Sequence, residues 1–130
     1  MAATYLDSSA IVKLVVHENE SVALRRYLRR RRPLVSSSLA RTEVMRALLP
    51  GGDDAVAAGR KVLSRLDLVR ISTRILDEAA VLLPVDFRSL DAIHLATARR
   101  LGQDLGVIVT YDERLAEAAT HLGHRVVAPR

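Results

Sequence analysis

Val107-Ile108-Val109-Thr110 is a continuous β-branched run, the clearest strand in the chain. A run without polar alternation reads as buried on both faces, as in a parallel sheet. Asp112 follows at the position of a helix N-cap, and a helical pattern continues to about His121 with Gly123 behind it. The same alternation recurs outward from this point. Ala3-Thr4-Tyr5-Leu6 is of strand length, and Ser8 to Val16 carries a helical stripe at Ile11, Val12, Val15 and Val16. Glu18 to Arg31 reads as a helix stopped by Pro33, and Leu34-Val35 as a second strand. Ser38 can cap a helix to about Leu49, and Asp53 another to about Arg65. Leu68 to Ile71 is a strand, Thr73 to Leu83 a helix ended by Pro84, and Ser89 can cap a helix to about Leu101. Arg125 to Val127 closes the chain as a last strand. Strands alternating with helices predict an α/β sandwich with a mainly parallel central sheet, whose ligand site lies at the carboxyl ends of the strands.

The 130 residues are one domain's worth, 49% hydrophobic and 27% charged, which excludes a disordered chain. With no cysteine, disulfides, zinc fingers, iron–sulfur clusters and thiol catalysis are ruled out. No stretch approaches the ~20 apolar residues that span a bilayer, and the N-terminus lacks a basic region followed by a long apolar one. The expectation is a soluble, cytoplasmic protein with no membrane association. The formal charge is +5, from 20 basic and 15 acidic residues, nearly all the basic ones arginine. Such a surface suits a polyanion, although a GC-rich genome enriches arginine equally well. One Phe and three Tyr are too few for a base-stacking platform.

Four acids stand out. Asp7 follows the first strand and Asp112 the clearest one, where an open sheet places its site, though both are also natural helix caps. Glu43 has Leu39, Ala40, Val44 and Ala47 as its helical neighbours, and a carboxylate beside a buried stripe is costly unless paired or metal-bound. Asp91 opens the apolar segment Leu90 to Ala98; the helix dipole favours an acid there, and burial invites a cation. Four carboxylates without Cys or clustered His suit a hard ion, magnesium or manganese, and metal-assisted phosphodiester hydrolysis.

Four segments carry a resemblance: Tyr5 to Leu14, Ser38 to Val44, Ser89 to Ala98 and Val109 to Leu115. In order and spacing they resemble PIN domains of the VapC toxin family along the whole chain. The resemblance implies a single PIN domain over residues 1–130, a three-layer α/β/α sandwich with about five strands. It implies that Asp7, Glu43, Asp91 and Asp112 gather in one pocket that binds Mg2+ or Mn2+, supported by Ser9 and Thr110, with Ser8 a further candidate. It also implies an endoribonuclease toxin, inhibited by a VapB-type antitoxin, that forms a homodimer and a toxin–antitoxin hetero-oligomer. Asp7, Asp91 and Asp112 are expected to ligate the metal, with Glu43 a ligand or the group that orients the attacking water.

Other residues have weaker claims. Asp91-x-x-His94 could hold a transition metal, but a lone His in an apolar helix is more often a hydrogen-bonded core residue. Arg29 and Arg30, in a dense basic stretch from Arg25 to Arg32, are candidate RNA contacts, as is Arg114 beside Asp112. Val22, Leu28, Leu39 and Leu48 could line an antitoxin groove but read as core. Two alternatives compete with the nuclease. One is a non-catalytic PIN-fold module that binds RNA or protein. The other is a phosphatase or phosphotransfer domain, against which stand Ser9 where a second Asp would be needed and the lack of any Lys after Lys61.

Overall fold

A computed structural model describes residues 2–130. Five strands form one sheet: β1 (Ala3–Leu6), β2 (Leu34–Ser37), β3 (Asp67–Val69), β4 (Leu105–Val109) and β5 (Val126–Val127). Seven α-helices connect and cover them: α1 (Ser8–Val15), α2 (Ser21–Leu28), α3 (Ala40–Leu48), α4 (Asp53–Leu63), α5 (Thr73–Ala80), α6 (Ser89–Arg99) and α7 (Glu113–His121). The sheet order is β3-β2-β1-β4-β5, and every pairing is parallel. That order differs from the 2-1-3-4-5 arrangement of flavodoxin-like folds, which argues against a phosphotransfer domain of that type.

The side-chain period of two sorts the strands between two cores. Tyr5, Val35 and Ile108 are register partners and pack with Leu95, Leu115 and Ala118 of α6 and α7. Leu6, Leu34, Val107 and Val109 face the other way, against α1, α2, α3 and α4. Helix α5 lies on α6 through Ile75, Ala79, Ala92 and Ala96. The result is the expected three-layer sandwich. Val107, Ile108 and Val109 are all buried, as the unbroken β-branched run required.

Several boundaries differ, each for a local reason. Helix α2 begins at Ser21 rather than Glu18, because the Ser21 hydroxyl donates to the Lys13 carbonyl at 2.7 Å and accepts from Glu18 N–H at 2.9 Å, holding a turn. Arg30 to Arg32 therefore lie beyond that helix. Ser38 does not cap α3; Ser37 Oγ accepts from Leu39 N–H at 3.1 Å instead. Asp53 sits inside the first turn of α4, behind Gly52, whose φ of 84° suits only glycine. Ser89 is likewise the first helical residue of α6, not its cap. Helix α5 ends at Ala80, ahead of the residues that Pro84 restricts.

Leu24 and Leu48 are fully buried, whereas Val22 is 54% exposed, so the apolar residues of α2 and α3 are mostly core. No helix among the described residues is long and apolar enough to cross a membrane. Leu24→Ala, far from the carboxylates, is expected to cost about 2–5 kcal/mol, read as a lower midpoint in urea with an unchanged slope.

Candidate active site

Strand β1 lies between β2 and β4, and the direction of chain progression across the sheet reverses at β1–β4. A crevice opens at the carboxyl ends at such a reversal. Asp7 is the residue after β1, and Thr110 the residue after β4. Asp7 N–H donates to the Val109 carbonyl at 3.3 Å, which ties the two exits together. Asp7 is 4% exposed. Its Oδ1 accepts from the Ser9 hydroxyl at 2.6 Å and from Ala10 N–H at 3.0 Å, and its Oδ2 from the Thr110 hydroxyl. Those hydroxyls are themselves oriented from the loop after β4: Tyr111 N–H donates to Ser9 Oγ, and Asp112 N–H to Thr110 Oγ1, both at 3.0 Å. Asp7 is thus both the N-cap of α1 and the centre of the crevice, so its capping and site readings are not exclusive.

Glu43 comes from the first turn of α3 and is partly buried. Its Oε1 accepts from the Ser8 hydroxyl at 2.6 Å and lies 2.7 Å from His94 Nε2. Asp112 caps α7, its Oδ1 accepting from Arg114 N–H at 2.9 Å and Leu115 N–H at 3.3 Å. Asp91, in the first turn of α6, receives no hydrogen bond among the described residues. His94 is buried and hydrogen-bonded, the ordinary outcome for such a residue, yet it borders the crevice. Sequence reading missed Tyr5, whose hydroxyl lies 2.8 Å from His94 Nδ1. The available signal was a tyrosine on a buried strand, whose hydroxyl needs a partner.

The environment pushes Asp7, Asp91 and Glu43 apart. Burial raises the Asp7 carboxyl above its ordinary value, against the opposing bonds from Ser9 and Thr110. Asp91 is also raised, first by burial and then by the negative charge of Asp112, with Asp7 and Glu43 adding to it. For Glu43 burial pulls upward, but the bonds from His94 and Ser8 outweigh it and the net shift is downward. The other three acids therefore lie within electrostatic reach of Asp91.

This donor set fits a hard divalent cation. It is all oxygen, it is negatively charged, and Asp91 lacks any compensating partner. No three Asp, Glu or His side chains among the described residues already close on one point. Magnesium does not require that, because it keeps several waters and binds one or two carboxylates together with substrate phosphate.

The basic candidates separate. Arg114 lies in the first turn of α7, at the carboxyl end of the sheet, and lines a cavity with Phe87, Glu117 and His121. Arg29 and Arg30 are exposed just before β2, at the amino end of the sheet, so a strand's length (roughly 13 Å) or more lies between them and the acids. No ion pair engages Arg25, Arg26 or Arg29 to Arg32 among the described residues.

Residues 4–120 match the PIN domain family model. Ribonuclease VapC46 of Mycobacterium tuberculosis is 64% identical over 99% of both chains. Among solved structures, the sarcin–ricin-loop-cleaving toxin VapC20 of M. tuberculosis superposes with a TM-score of 0.79 at 18% identity, over 97% of this chain and 99% of that one. A chain of a toxin–antitoxin complex from Klebsiella pneumoniae does so with a TM-score of 0.75 at 22% identity, over 98% of each. These two structures speak for the fold alone.

An acid raised by burial opposes folding once the pH passes its unfolded value, and the opposition grows until the folded value is passed. Metal-free Asp91→Asn and Asp7→Asn are therefore expected to melt above the native sequence at pH 7, with about 2–8 °C for each kcal/mol relieved. The difference should shrink as the pH falls towards the ordinary carboxyl range. Melting curves from pH 4 to 8 in EDTA test this.

Proposed function

The chain belongs to the PIN domain family and to its VapC group, and from that premise we propose that it is a metal-dependent endoribonuclease toxin. Residues 1–130 act as one PIN domain that hydrolyses RNA phosphodiester bonds with Mg2+ or Mn2+ and is inhibited by a VapB-type antitoxin. The observation that supports this reading is that Asp7, Glu43 and Asp112, from three other elements, act electrostatically on Asp91 near the carboxyl ends of β1 and β4. The identity to a VapC ribonuclease supports the same chemistry. The toxin is cytoplasmic and works as a homodimer and within a hetero-oligomer with its antitoxin.

Asp7, Asp91 and Asp112 would hold the ion, directly or through water. When bound, the ion polarises the phosphoryl oxygen and lowers the pKa of an attacking water. The chain's own residues do the rest. Ser9 and Thr110 orient Asp7 by donating to its two oxygens and oppose the upward pull of burial on its carboxyl. Glu43 has Oε1 held by Ser8 and His94, and Oε2 is left to orient or accept a proton from the nucleophile. Arg114, at the same end of the sheet as the acids, would meet a backbone phosphate further along the RNA. Arg29 and Arg30 are too far for the scissile phosphate and would instead touch a distant part of a folded or long RNA.

Antitoxin-free protein is expected to cut RNA in Mg2+ or Mn2+ and to stop in EDTA. Asp7→Ala and Asp91→Ala should each lose at least about a hundredfold in rate; equal cutting by the variants would assign the activity to a contaminant. Saturating Mg2+ should raise the melting temperature of the native sequence, and by less in Asp91→Asn. Reversing Arg29 and Arg30 to Glu should weaken binding of a long RNA and flatten its salt dependence by about 0.7–0.9 for each phosphate no longer neutralised, while a short oligonucleotide spanning only the crevice binds as before. Unchanged affinity and slope for the long RNA would remove those arginines from the interface.

A further inference from the structure

His94 lies three residues after Asp91 on α6, a spacing that would suit a second metal ligand. Both of its ring nitrogens are engaged within the protein instead. Nε2 lies 2.7 Å from Glu43 Oε1, and Nδ1 lies 2.8 Å from the Tyr5 hydroxyl. His94 is 2% exposed and Tyr5 fully buried, with the rings edge to face at 75° and 6.0 Å between centroids. An ionised carboxylate only accepts, so Nε2 carries a proton and donates. In the neutral ring Nδ1 then accepts from Tyr5, whose burial raises its hydroxyl pKa and keeps the proton on oxygen. Ser8 adds a second donor to the same Glu43 oxygen at 2.6 Å, and its hydroxyl is 3.2 Å from Nε2.

Two elements thus meet on Glu43 Oε1, α1 through Ser8 and α6 through His94, and a third, β1, backs the ring through Tyr5. Glu43 Oε2 accepts from nothing among the described residues. Anchoring α6 to β1 needs only the Tyr5–His94 bond. Two donors on a single Glu43 oxygen do something more, because they fix which oxygen of a long, three-rotor side chain remains for outside work. We infer that His94 is a positioning residue that, backed by Tyr5 and helped by Ser8, holds Glu43 Oε1 so that Oε2 is the oxygen offered to the metal ion or its water. The inference rests on the metal-nuclease reading above. As a ligand, His94 would have to give up Glu43.

The test is a double-mutant cycle on the full chain free of antitoxin. Tyr5→Phe, His94→Gln and Ser8→Ala are made alone and with Glu43→Gln. Mn2+ binding is measured by calorimetry without RNA, and kcat and KM are measured separately. Tyr5→Phe and His94→Gln should each cost about 10–100-fold in Mn2+ affinity or kcat, with KM for RNA within about twofold because no RNA contact is touched. In the Glu43→Gln background they should cost nothing further. Equal losses in both backgrounds overturn the inference, as does a larger loss of Mn2+ binding from His94→Gln than from Glu43→Gln, which would make the ring a ligand. Should His94→Gln fail to fold, Tyr5→Phe carries the cycle, since it removes one oxygen and keeps the buried ring.

Imidazole 15N spectra of the metal-free protein give an independent reading. A protonated Nε2 whose resonance moves in Glu43→Gln supports the inference, and an unprotonated Nε2 overturns it. Failure of the function itself would look different, as native protein that neither binds Mn2+ nor cuts RNA, and would overturn both.

Discussion

A carboxylate placed between two parallel strands at 4% exposure governs this molecule. Burying an ionised acid costs several kcal/mol unless donors surround it. For Asp7 those donors are one N–H of α1 and two hydroxyls, and each hydroxyl receives an N–H from the loop after β4. The start of α1, the path of the loop and the pairing of β1 with β4 are therefore mutually dependent. Removing Thr110 or Ser9 would strand a buried charge rather than loosen a surface.

The remaining acids follow from that arrangement. Asp112 is fixed by its own capping bonds immediately after Thr110, and α6 brings Asp91 beneath the negative field of the other carboxylates. Burial acts in the same direction on Asp7, Asp91 and Glu43, but only Glu43 finds enough donors to reverse it. A site with two raised carboxyls and one lowered is under electrostatic tension, and added positive charge would relieve it. Concentrating carboxylates at these positions costs stability, the trade-off expected if the charge serves the proposed catalysis.

Much of the fold was legible because its signals are local. The β-branched run at Val107 to Thr110, the prolines at 33 and 84 and the capping acids Asp7 and Asp112 each depend on neighbours in sequence. Helix starts were legible only in part. Ser38, Asp53 and Ser89 have the right chemistry for caps, yet the cap positions fall on Leu39, Gly52 and Arg88, because cap geometry is set by how the preceding loop arrives. The residues of the four acid positions stood out in the chain, and the strand-exit rule located two of them.

The sequence by itself determined the alternation of strands and helices, the identity of the oxygen donors and the excess of arginine, since these need only composition and spacing. Tertiary structure alone decided what meets what. It brought Tyr5, Ser8 and His94, up to 89 positions apart, onto Glu43 through a network of hydrogen bonds. It also set Arg29 and Arg30 at the opposite end of the sheet from Arg114. The physical reason is that hydrogen-bond partners across a sheet are fixed by strand order and register, and neither is written in the local pattern of any single strand.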